Sequence, residues 1–442
     1  MMQIFVARTA VDGQSLHAHL ARLFPIMRSV TGPGVRETLD HLSTITPIQR
    51  QSVSSGTPVL DWTVPPEWHF RQAWIERPDG SRAVDAANNT LHVVNFSVGV
   101  DGTMTRAELE PHLHSLPEQP DRIPYRTSYY ADTWGFCLSE EQRRTLGEGP
   151  FRVVIDAERR AGVLDWGEIV VPGESTEEIL VSTHICHPGL ANDNGSGMVL
   201  AAALADWRTR HRPRHTWRFV FVPGTIGAIS WLASRAKDSA RVAGGLVITG
   251  LGDERPFTYK ETPAGDAWID RVVRHVLAAN HPDNHGTIPF GPYGYDERQY
   301  CSPGFRLPVG RLTRGVHGTF PEYHTSGDDL SFVTPEGLVA GLDLLQTIAK
   351  TIDRDVTYRN LRPHGEPQLG RRGLYGAIGA QSDPGAAQMA MLWLLNASDG
   401  RSSLLDIATR SGIAFDTLCD TAALLVQHDL LTEHGPTDEM LP

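Results

Sequence analysis

Val181-Ser-Thr-His184-Ile-Cys186-His187-Pro-Gly-Leu-Ala-Asn-Asp193-Asn194-Gly195-Ser196-Gly197 is the stretch on which the reading of this chain turns. It begins in a short run rich in β-branched residues, Glu178–Thr183. It ends at the head of an Ala-rich helical run, Ser196–Trp207. A strand feeding a helix through a Gly-containing turn is the unit of an open α/β sheet, and ligands collect at the carboxyl ends of such strands. Here that end delivers two imidazoles and a carboxylate. Imidazole and carboxylate are the usual ligands of a catalytic zinc, which keeps one position open for water. A lone His at a strand end is ordinarily just hydrogen-bonded. Two His, an Asp and a Gly-Ser-Gly helix entry together point to a metal.

The same alternation continues on both sides. Phe151–Ile155, Glu168–Val171, Trp217–Val222 and Gly245–Thr249 read as further strands. Thr225–Ala233, Ala267–Ala279 and 335–353 read as helices. Strand and helix at this spacing predict a doubly wound, mostly parallel α/β sheet built from 1–50 and 119–355. Between these parts, 51–118 places Val53, Trp62, Trp68, Trp74 and Val93 among Gly, Pro, Asn and Asp, which predicts an inserted β-rich domain. Residues 356–374, rich in Arg, Pro and Gly, read as a linker. Residues 375–442 carry a helix–turn–helix outline and read as a winged helix.

Composition narrows the function. The 442 residues carry a net charge of −12 with His neutral. No basic run marks a nucleic-acid surface. From Ala387 onward the basic residues are only Arg401 and Arg410, against acids that include Asp399, Asp406, Asp416, Asp420 and Asp429. Phosphates would be repelled by that field, so no nucleic acid is expected as partner, and a contact between copies of the chain or a peptide-presenting surface fits the winged helix better. The N-terminus has no signal-peptide pattern and no apolar run is long enough to span a bilayer, so a cytoplasmic protein with no membrane partner is expected. The four cysteines, Cys137, Cys186, Cys301 and Cys419, are scattered and form neither a disulfide framework nor a zinc knuckle.

Two more strand ends add ligands. Gly245–Thr249 runs into Gly250-Leu-Gly-Asp253-Glu254, and Pro321-Glu322-Tyr323-His324-Thr325-Ser326 precedes the helix at 335. Strand-end His, then Asp-Asn-x-Ser-Gly, then Asp after a later strand, then Tyr-His-Thr resembles the zinc aminopeptidase superfamily, which includes bacterial leucyl aminopeptidases and glutaminyl cyclases. Longer stretches are similar to a bacterial aminopeptidase-like subfamily of poorly defined function. They are Leu23-Phe-Pro-Ile-Met-Arg-Ser-Val-Thr-Gly32, Asp61-Trp-Thr-Val-Pro-Pro-Glu-Trp68, Ile123-Pro-Tyr-Arg-Thr-Ser-Tyr-Tyr130 and Trp134-Gly-Phe-Cys137.

The resemblance implies that His184, Asp193, Asp253 and His324 are metal ligands, with Asp193 central. The sequence departs from the pattern twice. Where the superfamily has Asp two residues after its first His, this chain has Cys186 with His187 beside it, so His187 joins the candidate ligands. Where the superfamily has a Glu-Glu pair after the strand matching Trp217–Val222, this chain reads Pro223-Gly224-Thr225. The first Glu of that pair is the general base and the second a metal ligand. Thr225 offers only a neutral hydroxyl, a weak zinc ligand, so one tightly bound zinc is expected.

The base must then come from elsewhere, with Glu297 the first candidate and Glu322 the second. Asp296 reads as a helix N-cap. Cys186 reads as an inert thiol, not a nucleophile. The expected function is hydrolysis of a peptide or aminoacyl amide by a metal-activated water. Its rivals are a non-catalytic binding module, and an amide hydrolase or acyl transferase acting on a sugar- or antibiotic-pathway intermediate.

Overall fold

The structure, a computed structural model, describes residues 12–374 and 384–434. The chain divides between Gln346 and Thr347 into two units. In the first, eight strands form one sheet: β1 (Gln49–Ser54), β2 (Val163–Val171), β3 (Ser175–His184), β4 (His215–Val222), β5 (Val242–Ile248), β6 (Phe257–Lys260), β7 (His285–Ile288) and β8 (Val309–Arg314). Their order across the sheet is β1-β2-β4-β3-β5-β8-β6-β7. The central strands β4, β3, β5 and β8 run parallel. Pairings β1–β2, β2–β4 and β6–β8 are antiparallel. The α/β architecture is therefore a mixed sheet with a parallel centre. A parallel strand covered on both faces is buried along its length. In β3 every residue from Glu178 to His184 is buried, which drives the site to the strand's carboxyl end.

A second sheet is antiparallel throughout, in the order Arg82–Asp85, Glu67–Glu76, Phe151–Arg160, Val100–Met104. Two expectations change here. Phe151–Arg160 sits inside this sheet, not the parallel one, so the β-rich part reaches beyond 51–118. Val53, expected in the insertion, lies in β1 of the central sheet. The reason is legible in burial. Phe151, Val153, Ile155 and Ala157 are buried while Arg152, Asp156 and Glu158 are not. That alternation belongs to an antiparallel strand with one covered face. One apolar cluster then joins both sheets, with Trp68, Ile75 and Phe151 alongside Leu180, Val220 and Val247.

The second unit has helices Pro384–Ala397, Leu404–Ser411 and Phe415–Gln427 and a three-stranded sheet. Its middle strand is Thr357–Asn360, from the segment expected to be a linker. That strand pairs with both Asp399–Ser403 and Leu431–Glu433. Tyr358 and Asn360 are buried, and the Asn360 side-chain amide donates to the Leu395 carbonyl at 2.6 Å. Those bonds hold 357–360 inside the unit. Of the expected 375–442 domain, 375–383 and 435–442 lie outside the described residues. Among the described residues no helix is long and apolar enough to cross a membrane.

Leu180 is fully buried at the centre of β3. Leu180→Ala should cost about 2–5 kcal/mol, read from the denaturant midpoint. A loss under about 1 kcal/mol would contradict the packing described.

Candidate metal centre

β3 delivers His184 at its last residue, and the chain turns back so that Asp193 meets it. Asp193 Oδ1 is 2.9 Å from His184 Nε2. Its Oδ2 is 3.0 Å from His324 Nε2. This second contact lacks hydrogen-bond alignment, and both atoms are buried with no hydrogen-bond partner. A carboxylate oxygen and an imidazole nitrogen that are close, dry and unpartnered suit a shared cation. One ligand atom from each of His184, His187 and Asp193 falls within 4.8 Å of the others. Burial would raise the Asp193 carboxyl, but the imidazoles of His184, His324 and His187 hold it well below the usual range. Burial also keeps His187 well below its ordinary value, hence neutral, the form that ligates.

The ligand loop is fixed by bonds to its backbone. Asp328 Oδ1 accepts from the Asn192 amide at 2.6 Å and Oδ2 from the Asp193 amide at 2.8 Å. Burial pushes that carboxyl up to about 8. The Asn194 side chain donates to Thr183 Oγ1 at 2.6 Å and to the His184 carbonyl at 3.0 Å, tying the loop to β3.

His187 is oriented by its neighbour. Its Nδ1 lies 3.2 Å from Cys186 Sγ, and that thiol points to the Gly224 carbonyl at 3.6 Å. Burial pushes the Cys186 thiol up to about 12, so it stays protonated and donates to Gly224. Its sulfur then accepts from His187 Nδ1–H, which leaves the Nε2 lone pair for a metal. Arg28, buried, donates from Nε to the His187 carbonyl at 3.0 Å. His324 takes a left-handed φ of +54°, and its carbonyl accepts from the Tyr125 amide at 2.7 Å.

These imidazoles open on a cavity of about 300 Å³, also lined by Tyr125, Tyr129, Gly224, Tyr295, Asp296, His317 and Tyr323. Three sequence expectations do not hold. Asp253 is not with the ligands. Its Oδ1 accepts from Arg255 N and Nε at 2.8 Å, and its Oδ2 from Arg255 Nη2 at 2.8 Å and Asn192 Nδ2 at 2.6 Å. With its lone pairs so engaged it braces the Asn192 side of the ligand loop. Glu297, fully buried, takes Lys260 Nζ at 2.8 Å and Arg311 Nη1 at 3.4 Å on one oxygen and does not line the cavity. Glu322 pairs with Arg122 at 3.0 Å and does not line it either. Each expected base is neutralised by cations.

The carboxylate that does face the cavity is Asp296. It makes no capping bond to the helix Glu297–Tyr300. Its Oδ1 is buried without a partner, and burial pushes it up to about 6. A Cβ added at Gly224 would lie 3.4 Å from both Asp296 Oδ2 and the His184 Cβ. The carboxylate absent after β4 is thus matched, in the same space, by one from another loop. Sequence reasoning had set Asp296 aside as a helix N-cap. Asp328 was readable only as one of two acids after Tyr323-His324-Thr325-Ser326.

Residues 17–355 match the family described as Domain of unknown function (DUF4910). The chain belongs to that family. Residues 356–433 match the winged helix-turn-helix family. A Clostridium acetobutylicum protein, provisionally named a polysaccharide biosynthesis protein with an aminopeptidase-like domain, is 42% identical over 97% of this chain and 98% of its own length. The crystal structure of a provisionally named peptidase from C. acetobutylicum has a TM-score of 0.90 at 41% identity, covering 95% of this chain and 96% of that one. A zinc aminopeptidase from Bacillus subtilis has a TM-score of 0.55 at 11% identity, over 77% of this chain and 95% of that one, and shares the fold. The DUF4910 part thus has an aminopeptidase-like fold.

Glu297→Gln should leave Lys260 and Arg311 buried and uncompensated, at about 3–5 kcal/mol of stability. A denaturation midpoint equal to wild type would contradict that role. All four thiols are pushed to about 11 or 12 by burial. Thiolate is the reactive form, so iodoacetamide at pH 7.5 should modify no cysteine until the protein is unfolded. A mass shift on folded protein at Cys186 would overturn the inert assignment.

Proposed function

We propose that the chain is a zinc-dependent hydrolase of the aminopeptidase type, acting on the amide bond of a small peptide-like substrate. The observation that carries this is the arrangement of Asp193. It is ionised, buried and set between His184 and His324, with Asp193 Oδ2 and His324 Nε2 left unpartnered 3.0 Å apart. His184, His187, Asp193 and His324 are the residues that would hold the ion. When bound, it would polarise the amide carbonyl and acidify a water. Among the described residues one group of this kind is present, which supports a single ion.

Asp296 takes the place of the expected bases, Glu297 and Glu322. Its carboxylate faces the cavity from beside His184 and Gly224, with its Oδ1 buried and, among the described residues, without a hydrogen-bond partner. It would accept the proton from the attacking water at the free carboxylate oxygen and return it to the departing amine. Tyr125, Tyr129 and Tyr323 line the cavity walls and narrow it to a small substrate. We place the protein in the cytoplasm, since its free cysteines, three buried and one partly so, suit a reducing compartment.

A second reading has the amide carried on a sugar precursor, with or without acyl transfer. The name of the C. acetobutylicum relative favours it, and flat tyrosine faces suit sugar rings. The winged helix we read as a contact between copies of the chain. Its helix Phe415–Gln427 carries Asp416 and Asp420, each 80% exposed, and Arg354 pairs with both. Residues 356–442 should therefore give no salt-sensitive mobility shift with DNA, and tight binding would reverse this part of the reading.

Purified protein should hold close to one zinc per chain after dialysis, and Asp193→Ala should hold essentially none. Asp296→Asn should lower turnover by about 10²–10⁴-fold with zinc retained. Two retained zincs, or unchanged turnover in Asp296→Asn, would contradict the reading. Loss of zinc in Asp296→Asn would make it a ligand instead of the base.

A further inference from the structure

The cavity has a second pole. Across the ring of Tyr295 from the ligand imidazoles stands His317. Tyr295 stacks on His184 with centroids 5.1 Å apart and meets His317 edge-on at 5.6 Å. Tyr323 bridges in the same way, 4.0 Å from the His324 ring and 6.3 Å from that of His317. Both His317 and these tyrosines line the cavity.

The tautomer of His317 is set by its partner. Arg311 Nη1 is 3.2 Å from His317 Nδ1. A guanidinium can only donate, so Nδ1 accepts and the imidazole proton sits on Nε2. Burial and the neighbouring Arg311 lower the His317 pKa, which keeps the ring neutral. The remaining edge of the ring is therefore an N–H donor.

Behind it lies an excess of positive charge. Lys260 and Arg311 are both buried, and among the described residues the carboxylate bonded to them is Glu297. Arg311 Nε and Nη2 are buried without partners, and its guanidinium lies over the Tyr295 ring at 5.4 Å. A buried charge left uncompensated is costly, and an arriving anion relieves it. Arg126 at the cavity wall is exposed and of the same sign.

We propose that this pole is an anion subsite that receives a carboxylate of the substrate, with His317 Nε2–H as donor and Arg311 and Lys260 as the charge behind it. This deepens the hydrolase reading and rests on it for the chemistry. The substrate class becomes an N-acyl amino acid or dipeptide, whose carboxylate stands close to the amide held at His184, His187, Asp193 and His324.

Calorimetric titration of the full-length protein as purified tests the subsite without requiring turnover. N-acetylglycine should bind at least about ten-fold more tightly than N-acetylglycinamide, the scale of one hydrogen bond to a charged group. His317→Leu should abolish that preference, and His317→Gln, which keeps a donor, should preserve part of it. Equal affinity for acid and amide overturns the proposal. So does a preference that survives in His317→Leu, since the carboxylate would then sit on the metal. Inorganic phosphate binding more tightly than N-acetylglycine overturns the carboxylate assignment. Should His317→Leu fail to fold, the comparison of acid with amide on wild type and His317→Gln still decides. A clear acid preference with no hydrolysis would fault the hydrolase reading alone.

Discussion

The whole site depends on one buried carboxylate. Asp193 is ionised in an interior that disfavours charge, and it stays so because His184 and His324 approach it from two sides. Everything around it serves that contact. β3 sets His184 at the carboxyl end of the sheet's parallel centre. Asp328 fixes the backbone amides of Asn192 and Asp193. Asp253 and Arg255 hold the Asn192 side chain. Removing the supports would not change the ligand types, only their aim, and ligand aim decides metal affinity.

The chain departs from the aminopeptidase pattern at two positions, and in each a neighbouring group occupies the space. At Gly224 the side chain expected from the aminopeptidase pattern is gone. Asp296 enters the same space from the loop before Glu297–Tyr300. Cys186 stands where the pattern has an acid, yet its thiol bridges His187 and the Gly224 carbonyl and so orients a further imidazole.

Much of this was legible in the sequence. The strand–loop–helix at 178–207 carried the fold class and three of the four side chains that converge, because strand ends in α/β sheets gather polar groups by topology. Tyr323-His324-Thr325 gave the fourth. What failed was anything set by pairing across distance. Phe151–Arg160 showed its alternation plainly but not its partner sheet. Thr357–Asn360 looked like linker because the two short strands that pair with it, Asp399–Ser403 and Leu431–Glu433, come together with it only after folding. Asp253, Glu297 and Glu322 were acids in the right neighbourhood, and sequence cannot show that Arg255, Lys260, Arg311 and Arg122 claim them. Asp296 was set aside as a cap because its position before a short helix is the commoner use of an Asp.

The central claim is that His184, His187, Asp193 and His324 together hold one zinc. Anomalous diffraction on either side of the zinc edge, from crystals of protein never exposed to chelator, tests it most directly. A single strong peak is expected at roughly 2.0–2.2 Å from at least three of these side chains. A peak elsewhere in the chain, or none at this cluster in zinc-replete protein, would contradict it.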